Sequence, residues 1–143
     1  MTPAQDQGTP NAPPAPLISL VVPVYNEAEN IQAFLRDLEP HLRQPHETLI
    51  VYDFPEDSTL PAVAAMQPPP ADVRLVHNTL GKGVLNALKT GFRAARGDVI
   101  VVMMADRSDE PKDVEPMARL IREGADVVAG SRYVKGGGQE GGP

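Results

Sequence analysis

Apolar positions come in short unbroken blocks, separated by stretches in which they recur at helical spacing. Leu17 to Val24 is apolar except for Ser19 and Pro23, the pattern of a strand covered on both faces. Asn26 then stands as a helix cap with Glu29 three positions on as its capping-box partner. Ile31, Phe34, Leu35, Leu38 and Leu42 give the following helix one apolar face. A second strand is predicted at Thr48 to Tyr52, then a short helix starting near Ser58 to Pro61, with Ser58 as cap. A third strand follows at Val73 to Val76. The next helix runs from Gly83 to Ala95 with Val84, Leu88, Phe92 and Ala95 inward and Gly97 as its stop. The fourth strand is Asp98 to Met104, and the fourth helix is Pro111 to Glu123, with Val114, Met117, Leu120 and Ile121 inward and Gly124 at its end. A fifth strand is expected at Asp126 to Gly130. Strands alternating with helices in this way predict an α/β protein with a Rossmann-like, doubly wound, mainly parallel sheet.

Four of the strands stop on polar clusters: Asn26-Glu27, Asp53, Asp106 and Ser131-Arg132. In an open α/β sheet the carboxyl ends of the strands line the ligand crevice, so acids and an arginine there suit an anionic ligand such as a nucleotide. Each cluster also has a local reading. Asn26 and Glu27 suit a helix start, Asp53 to Asp57 suits a turn, and Asp106, Asp109 and Glu110 suit the helix that Pro111 opens. Gly81-Lys82-Gly83 follows a strand and opens a helix, so its amides and Lys82 can meet a phosphate. It is not a Walker A loop, and Gly-x-Gly-x-x-Gly fails at Asn86.

A chain of 143 residues holds one domain. Its net charge of −6 argues against non-specific nucleic-acid binding, and zero cysteines removes disulfides, thiolate metal sites and cysteine nucleophiles. The longest apolar runs fall far short of the ~20 residues of a membrane helix. The 16 prolines gather in Met1 to Pro16, read as a disordered tail without signal-peptide character, and in the stiff loop at Pro68-Pro69-Pro70. The ordered domain is expected to span residues 17–134. The Gly-rich end, residues 135–143, reads as a flexible segment and a truncation point. His41, His46 and His77 are isolated and receive no role, and Met103 and Met104 read as core rather than as ligands.

Val22-Pro23-Val24-Tyr25-Asn26-Glu27, the acid after the second strand and the Gly-Lys-Gly helix start together resemble the family 2 glycosyltransferases. So do Ala94-Ala95-Arg96-Gly97-Asp98, leading into a strand that ends in Ala105-Asp106, and Gly130-Ser131-Arg132-Tyr133. The polyprenyl (dolichol) phosphate mannosyltransferase-like branch is the nearest in flavour, and the resemblance spans Leu17 to Tyr133. It implies a GT-A fold holding a GDP- or UDP-linked sugar, with inverting transfer to a polyprenyl or other lipid phosphate. The parent would be cytoplasmic or peripheral to the cytoplasmic membrane face, and the family continues beyond this chain into an acceptor-facing portion. By the same resemblance Pro23, Tyr25 and Glu27 contact the nucleoside, Asp53 holds base or ribose, and Lys82 lies near the nucleotide. Ala105 and Asp106 complete the Asp-x-Asp motif, with Asp106 as metal ligand, and Arg132 reaches the diphosphate or sugar.

The departures concern the metal. Met104 stands where the family has the first acid of Asp-x-Asp, and a thioether is a poor ligand for Mg or Mn. Ser108 replaces a Gln that the mannosyltransferase branch often offers. After the second strand, Asp-Asp-Gly-Ser-x-Asp-Gly-Thr becomes Tyr52-Asp53-Phe54-Pro55-Glu56-Asp57-Ser58-Thr59. A divalent cation is therefore implied by the resemblance without being secured by the residues. Two alternatives remain: a non-catalytic nucleotide-binding relative, and a receiver-like signalling domain phosphorylated on Asp53. The second lacks an acidic pair after the first strand and has Arg132 where it needs a lysine.

Overall fold

The computed structural model describes residues 17–128. The proline-rich tail, the end of the expected fifth strand, Ser131-Arg132-Tyr133 and the Gly-rich end lie outside the described residues. Four parallel strands, β1 (Ile18–Pro23), β2 (His46–Tyr52), β3 (Val73–His77) and β4 (Val99–Val102), form a sheet of order β3-β2-β1-β4. The chain starts in the middle, runs outward to β3 and returns to place β4 on the other side of β1. The order reverses between β1 and β4, the switch point at which such sheets bind ligands.

Every residue of β1 is buried, as its continuous apolar run requires. Ile18, Leu20 and Val22 face a core shared with α1 (Ala28–Leu38), α2 (Thr59–Ala64) and α4 (Val114–Arg122), the last entered through a 3₁₀ turn at Pro111–Asp113. Val21 joins Leu49, Val51 and Ala87 on the opposite face under α3 (Val84–Ala94). Helices thus cover both faces, the doubly wound arrangement expected.

Several local expectations need correction. In α3 the buried residues are Ala87 and Gly91, while Val84 and Phe92 are exposed. The helix lies so close to β1 that a Cβ on Gly91 would strike the Val21 methyls, so its small residues, not its large ones, form the contact face. Leu120 of α4 is likewise exposed, with Ala118 in its place. Gly97 does not stop α3 by a left-handed turn. A Cβ there would strike the Leu17 carbonyl and Ser19, so the requirement is close approach of backbones. Gly124 does behave as expected: at φ +120 it lets its own amide reach the Ile121 carbonyl and that of Ala125 reach Leu120, closing α4 in a Schellman motif. No strand forms over Asp126 to Val128. β4 is therefore an edge among the described residues, and Ile100 and Val102 are exposed on one side of it. An apolar cleft of about 500 Å³ opens along this strand toward Met117 and Val127.

At the amino ends of the strands a buried carboxylate joins three of them. Glu47 accepts hydrogen bonds from Ser19 Oγ (2.6 Å), the Arg96 amide (2.7 Å) and Arg74 Nη2 (2.9 Å). Burial pushes the Glu47 carboxyl up, but the bonds from Ser19, Arg96 and Arg74 outweigh it and leave the pKa below its ordinary 4.5. Asp98 is clasped by Arg122 through two 3.0 Å bonds. That hydrogen bonding, against a smaller desolvation effect, holds its pKa at about 2. A depressed acid stabilises the fold above its ordinary pKa and ceases to do so as pH falls through the folded value. Both contributions should therefore be complete above about pH 4.5 and be lost as pH falls below it, that of Asp98 toward pH 2 and reduced by solvent screening, because the Asp98 side chain is half exposed. Glu47→Ala should cost about 3 kcal/mol in urea unfolding at neutral pH and flatten that acid decline.

Candidate functional site

The carboxyl ends of β1, β2 and β3 and the turn after β4 lie on one edge of the sheet, and polar side chains tie their loops together in two knots. The first joins the loop after β1 to the start of α2. The Asn26 amide donates to Asp57 Oδ2 (3.0 Å), the Ser58 amide donates to Asn26 Oδ1 (2.9 Å), and the Glu27 amide donates to Thr59 Oγ1 (2.9 Å). Asp57 also accepts from the Thr59 amide (2.8 Å), and both residues are fully buried. Asn26 is held at φ +50, a conformation asparagine tolerates better than most residues. This overturns two expected caps. Asn26 does not cap α1, whose N-cap is Glu27 without a side-chain bond, because its side chain is spent across the loop. Ser58 does not cap α2 with its hydroxyl; Asp57 supplies that bond.

The second knot centres on Asn78, just past β3 and nearly buried. Its Nδ2 donates to Asp53 Oδ1 (2.8 Å) and to the Gly81 carbonyl (2.8 Å), while its Oδ1 accepts from the Leu80 amide (3.0 Å). The backbone partners on both ends of the amide fix which atom is nitrogen. Asp53 Oδ2 in turn accepts from the Gly83 amide (3.1 Å) at the start of α3. Gly81 and Gly83 sit at φ +122 and +117, so this turn needs glycine at both positions.

Three side chains gather above these knots. Tyr25 is 70% exposed, its ring centroid 5.8 Å from that of Phe54, and Lys82 Nζ lies 5.9 Å from the centre of the Phe54 ring. His77 stacks on Tyr52 at 5.0 Å with its Nε2 3.3 Å from the Asp53 carbonyl oxygen, which braces the end of β2. Pro23 is buried at the end of β1, and Glu27 Oε1 accepts from Asn30 Nδ2 (3.1 Å) within α1.

The turn after β4 is tied to itself. Asp106 Oδ1 accepts from the Ser108 amide (3.0 Å) and hydroxyl (2.6 Å), and Asp109 Oδ2 accepts from the Met104 amide (2.9 Å). Ala105 is buried. Met103 is core as expected, but Met104 is 37% exposed and faces the rim. No group of three or more His, Asp or Glu among the described residues is placed to hold a metal ion. With a thioether for the first acid and one Asp106 oxygen taken by Ser108, this donor set does not by itself fit a hard cation. Of the expected site residues, Tyr25 and Lys82 meet around Phe54 beside Asp53. Pro23, Glu27, Ala105 and Asp106 share the edge with them, and Arg132 lies outside the described residues. Asn78, Thr59 and Phe54 were not singled out by pattern.

The profile of glycosyl transferase family 2 matches residues 19–142. The chain belongs to this family. It is 34% identical over 127 residues to the dolichol-phosphate mannosyltransferase of Pyrococcus furiosus, covering 88% of this chain and 36% of that protein. It is 31% identical over 119 residues to the undecaprenyl-phosphate 4-deoxy-4-formamido-L-arabinose transferase of Serratia proteamaculans, again 36% of the relative. Among solved structures, the mannosyltransferase PcManGT of Pyrobaculum calidifontis, in complex with GDP-Man and Mn2+, superposes with a TM-score of 0.55 at 30% identity. That match covers 71% of this chain and 31% of the other. Glucosyl-3-phosphoglycerate synthase of Mycobacterium tuberculosis, solved with Mn2+, UDP and glucosyl-3-phosphoglycerate, gives a TM-score of 0.60 at 18% identity, covering 75% of this chain and 39% of the other. The fold of this family 2 chain is thus GT-A, and the chain spans about a third of the length of the relatives it matches.

Removing the Asn78 amide strips partners from Asp53, Gly81 and Leu80 together. Asn78→Ala should lower stability by about 2 kcal/mol, and Asn78→Asp by more, since it sets a second carboxylate against Asp53. Urea unfolding of both variants checks the order.

Proposed function

We propose that this chain is the donor-binding half of an inverting glycosyltransferase and holds a GDP- or UDP-linked sugar at the carboxyl edge of its sheet. The observation that carries this reading is the convergence of Tyr25, Asp53 and Lys82 at the strand ends where the family's motifs fall. In this reading Pro23, Tyr25 and Glu27 border the nucleoside and Asp53 meets base or ribose. Lys82, at the amino end of α3, faces the diphosphate with the helix dipole behind it. Asp106, Ala105 and Arg132 serve the sugar and diphosphate side. An acceptor phosphate oxygen attacks the anomeric carbon as the bond to the diphosphate breaks, so negative charge grows on the departing group, where Lys82 and Arg132 stabilise it. The acceptor oxygen is already anionic and needs no strong base.

A polyprenyl or other lipid phosphate acceptor is supported by the names of the relatives. Such a parent would work at the cytoplasmic face of a membrane, although no helix among the described residues is long and apolar enough to cross one. The non-catalytic alternative draws its support from Met104 at the first Asp-x-Asp position.

Calorimetric titration with GDP, UDP and their mannose and glucose conjugates tests the reading. Saturable binding of one base is expected, with Asp53→Ala weakening it at least tenfold, about 1.4 kcal/mol. Absence of binding to every nucleotide would mean that this chain forms no working donor site. Met104 has room at the rim for a carboxylate. Met104→Asp should make manganese tighten nucleotide binding about tenfold more than in the unaltered chain, about 1.4 kcal/mol; an unfolded variant would make Met104 a packing residue instead.

A further inference from the structure

We infer that Phe54 sets a preference for a purine base at this site, by backing the Tyr25 ring as a stacking platform. The inference rests on the nucleotide reading above and adds a residue that the family pattern does not supply, since Phe54 stands where Asp-Asp-Gly-Ser has glycine. Tyr25 leaves 70% of its surface in water, an arrangement that a flat apolar ligand would relieve. Its ring pairs with Phe54, 5.8 Å away at 59°, a tilted arrangement of the kind aromatic rings favour. Phe54 is itself held from both sides. Its carbonyl accepts from the Asp57 amide (3.2 Å), Pro55 restricts its backbone, and Asp53 before it is fixed by Asn78 and Gly83. Tyr25 is anchored through Asn26 to the same Asp57. The backbones that carry the two rings are therefore tied to one another, which lowers the ordering cost of stacking a base on them. Lys82 Nζ over the Phe54 ring keeps a cation beside it, where a base stacked on Tyr25 would trail its diphosphate. A purine covers more of an exposed ring than a pyrimidine does, and stacking grows with the area covered.

Titration of the whole chain with GDP and with UDP, repeated for Phe54→Leu and Phe54→Trp, reads this out. The unaltered chain should bind GDP more tightly. Phe54→Leu keeps apolar volume but removes the π face; it should weaken GDP about tenfold and UDP much less, so that the preference narrows, a loss of about 1.4 kcal/mol on GDP alone. Phe54→Trp should keep the preference, and thermal melting should show both variants folded. A preference for UDP in the unaltered chain, an unchanged ratio in Phe54→Leu, or equal weakening of both nucleotides would overturn the inference while leaving the nucleotide reading standing. Failure of the unaltered chain to bind either nucleotide would instead remove that reading and this one with it.

Discussion

At the carboxyl edge of a parallel sheet the hydrogen-bond ladder ends while the chain is still buried, and the amides there must find partners other than strands. In this protein Asp57 and Asn78 provide them. Asp57 accepts from the amides of Asn26 and Thr59, and Asn78 divides its four hydrogen bonds among Asp53, the turn before α3 and the Thr90 hydroxyl within α3. Without them, the loops after β1, β2 and β3 would carry unpaired polar groups at the point where helices must start. The helices α1, α2 and α3 take their entry positions from these knots, and so do the side chains that project above them.

What projects is chemically different from what ties. Asp57, Thr59 and Asn78 are buried and bonded to the fold, whereas Tyr25 and Lys82 stand in solvent around Phe54. A buried polar group is out of a ligand's reach, while an exposed ring and an exposed ammonium are not. The turn after β4 has correspondingly little to offer a hard cation. Asp106 and Asp109 each spend an oxygen on their own turn, and Met104 brings none.

The strand blocks were legible because β1 and β2 are buried on both faces and a continuous apolar run admits few other readings. Family motifs placed Pro23, Tyr25, Glu27, Asp53, Lys82 and Asp106 on one edge, since each motif follows a strand and the strands are parallel. Helix faces were less legible: large residues were assigned inward in α3, but Gly91 against Val21 brings the helix too close for them. The caps failed for a related reason. Asn26 is a good local cap by type, yet its side chain bonds the Ser58 amide 32 residues away, which local spacing does not carry, and at α2 the neighbouring Asp57 makes the bond expected of Ser58. A sign that could have pointed to Thr59, as it did to Asp57, is that both stand unchanged in an otherwise altered motif. Asn78 had only its place between a strand and a Gly-Lys-Gly turn.

The two ends of the same sheet separate perturbation from function. Strongly shifted acids often mark sites, but here the resolved shifts belong to Glu47 and Asp98, both at the amino edge. Each of these carboxylates is surrounded by donors from its own fold: Ser19, Arg96 and Arg74 for one, Leu17 and Arg122 for the other. Their charge is already answered, and what depresses their pKa is the same bonding that leaves nothing for a ligand. At the carboxyl edge the second oxygen of Asp106 makes no hydrogen bond among the described residues, and Lys82 has only an aromatic face for company. The unanswered Lys82 ammonium, rather than a shifted charge, is the feature that suits an anionic ligand. A parallel sheet can therefore keep its stabilising acids and its binding groups apart simply by placing them at opposite ends of the strands.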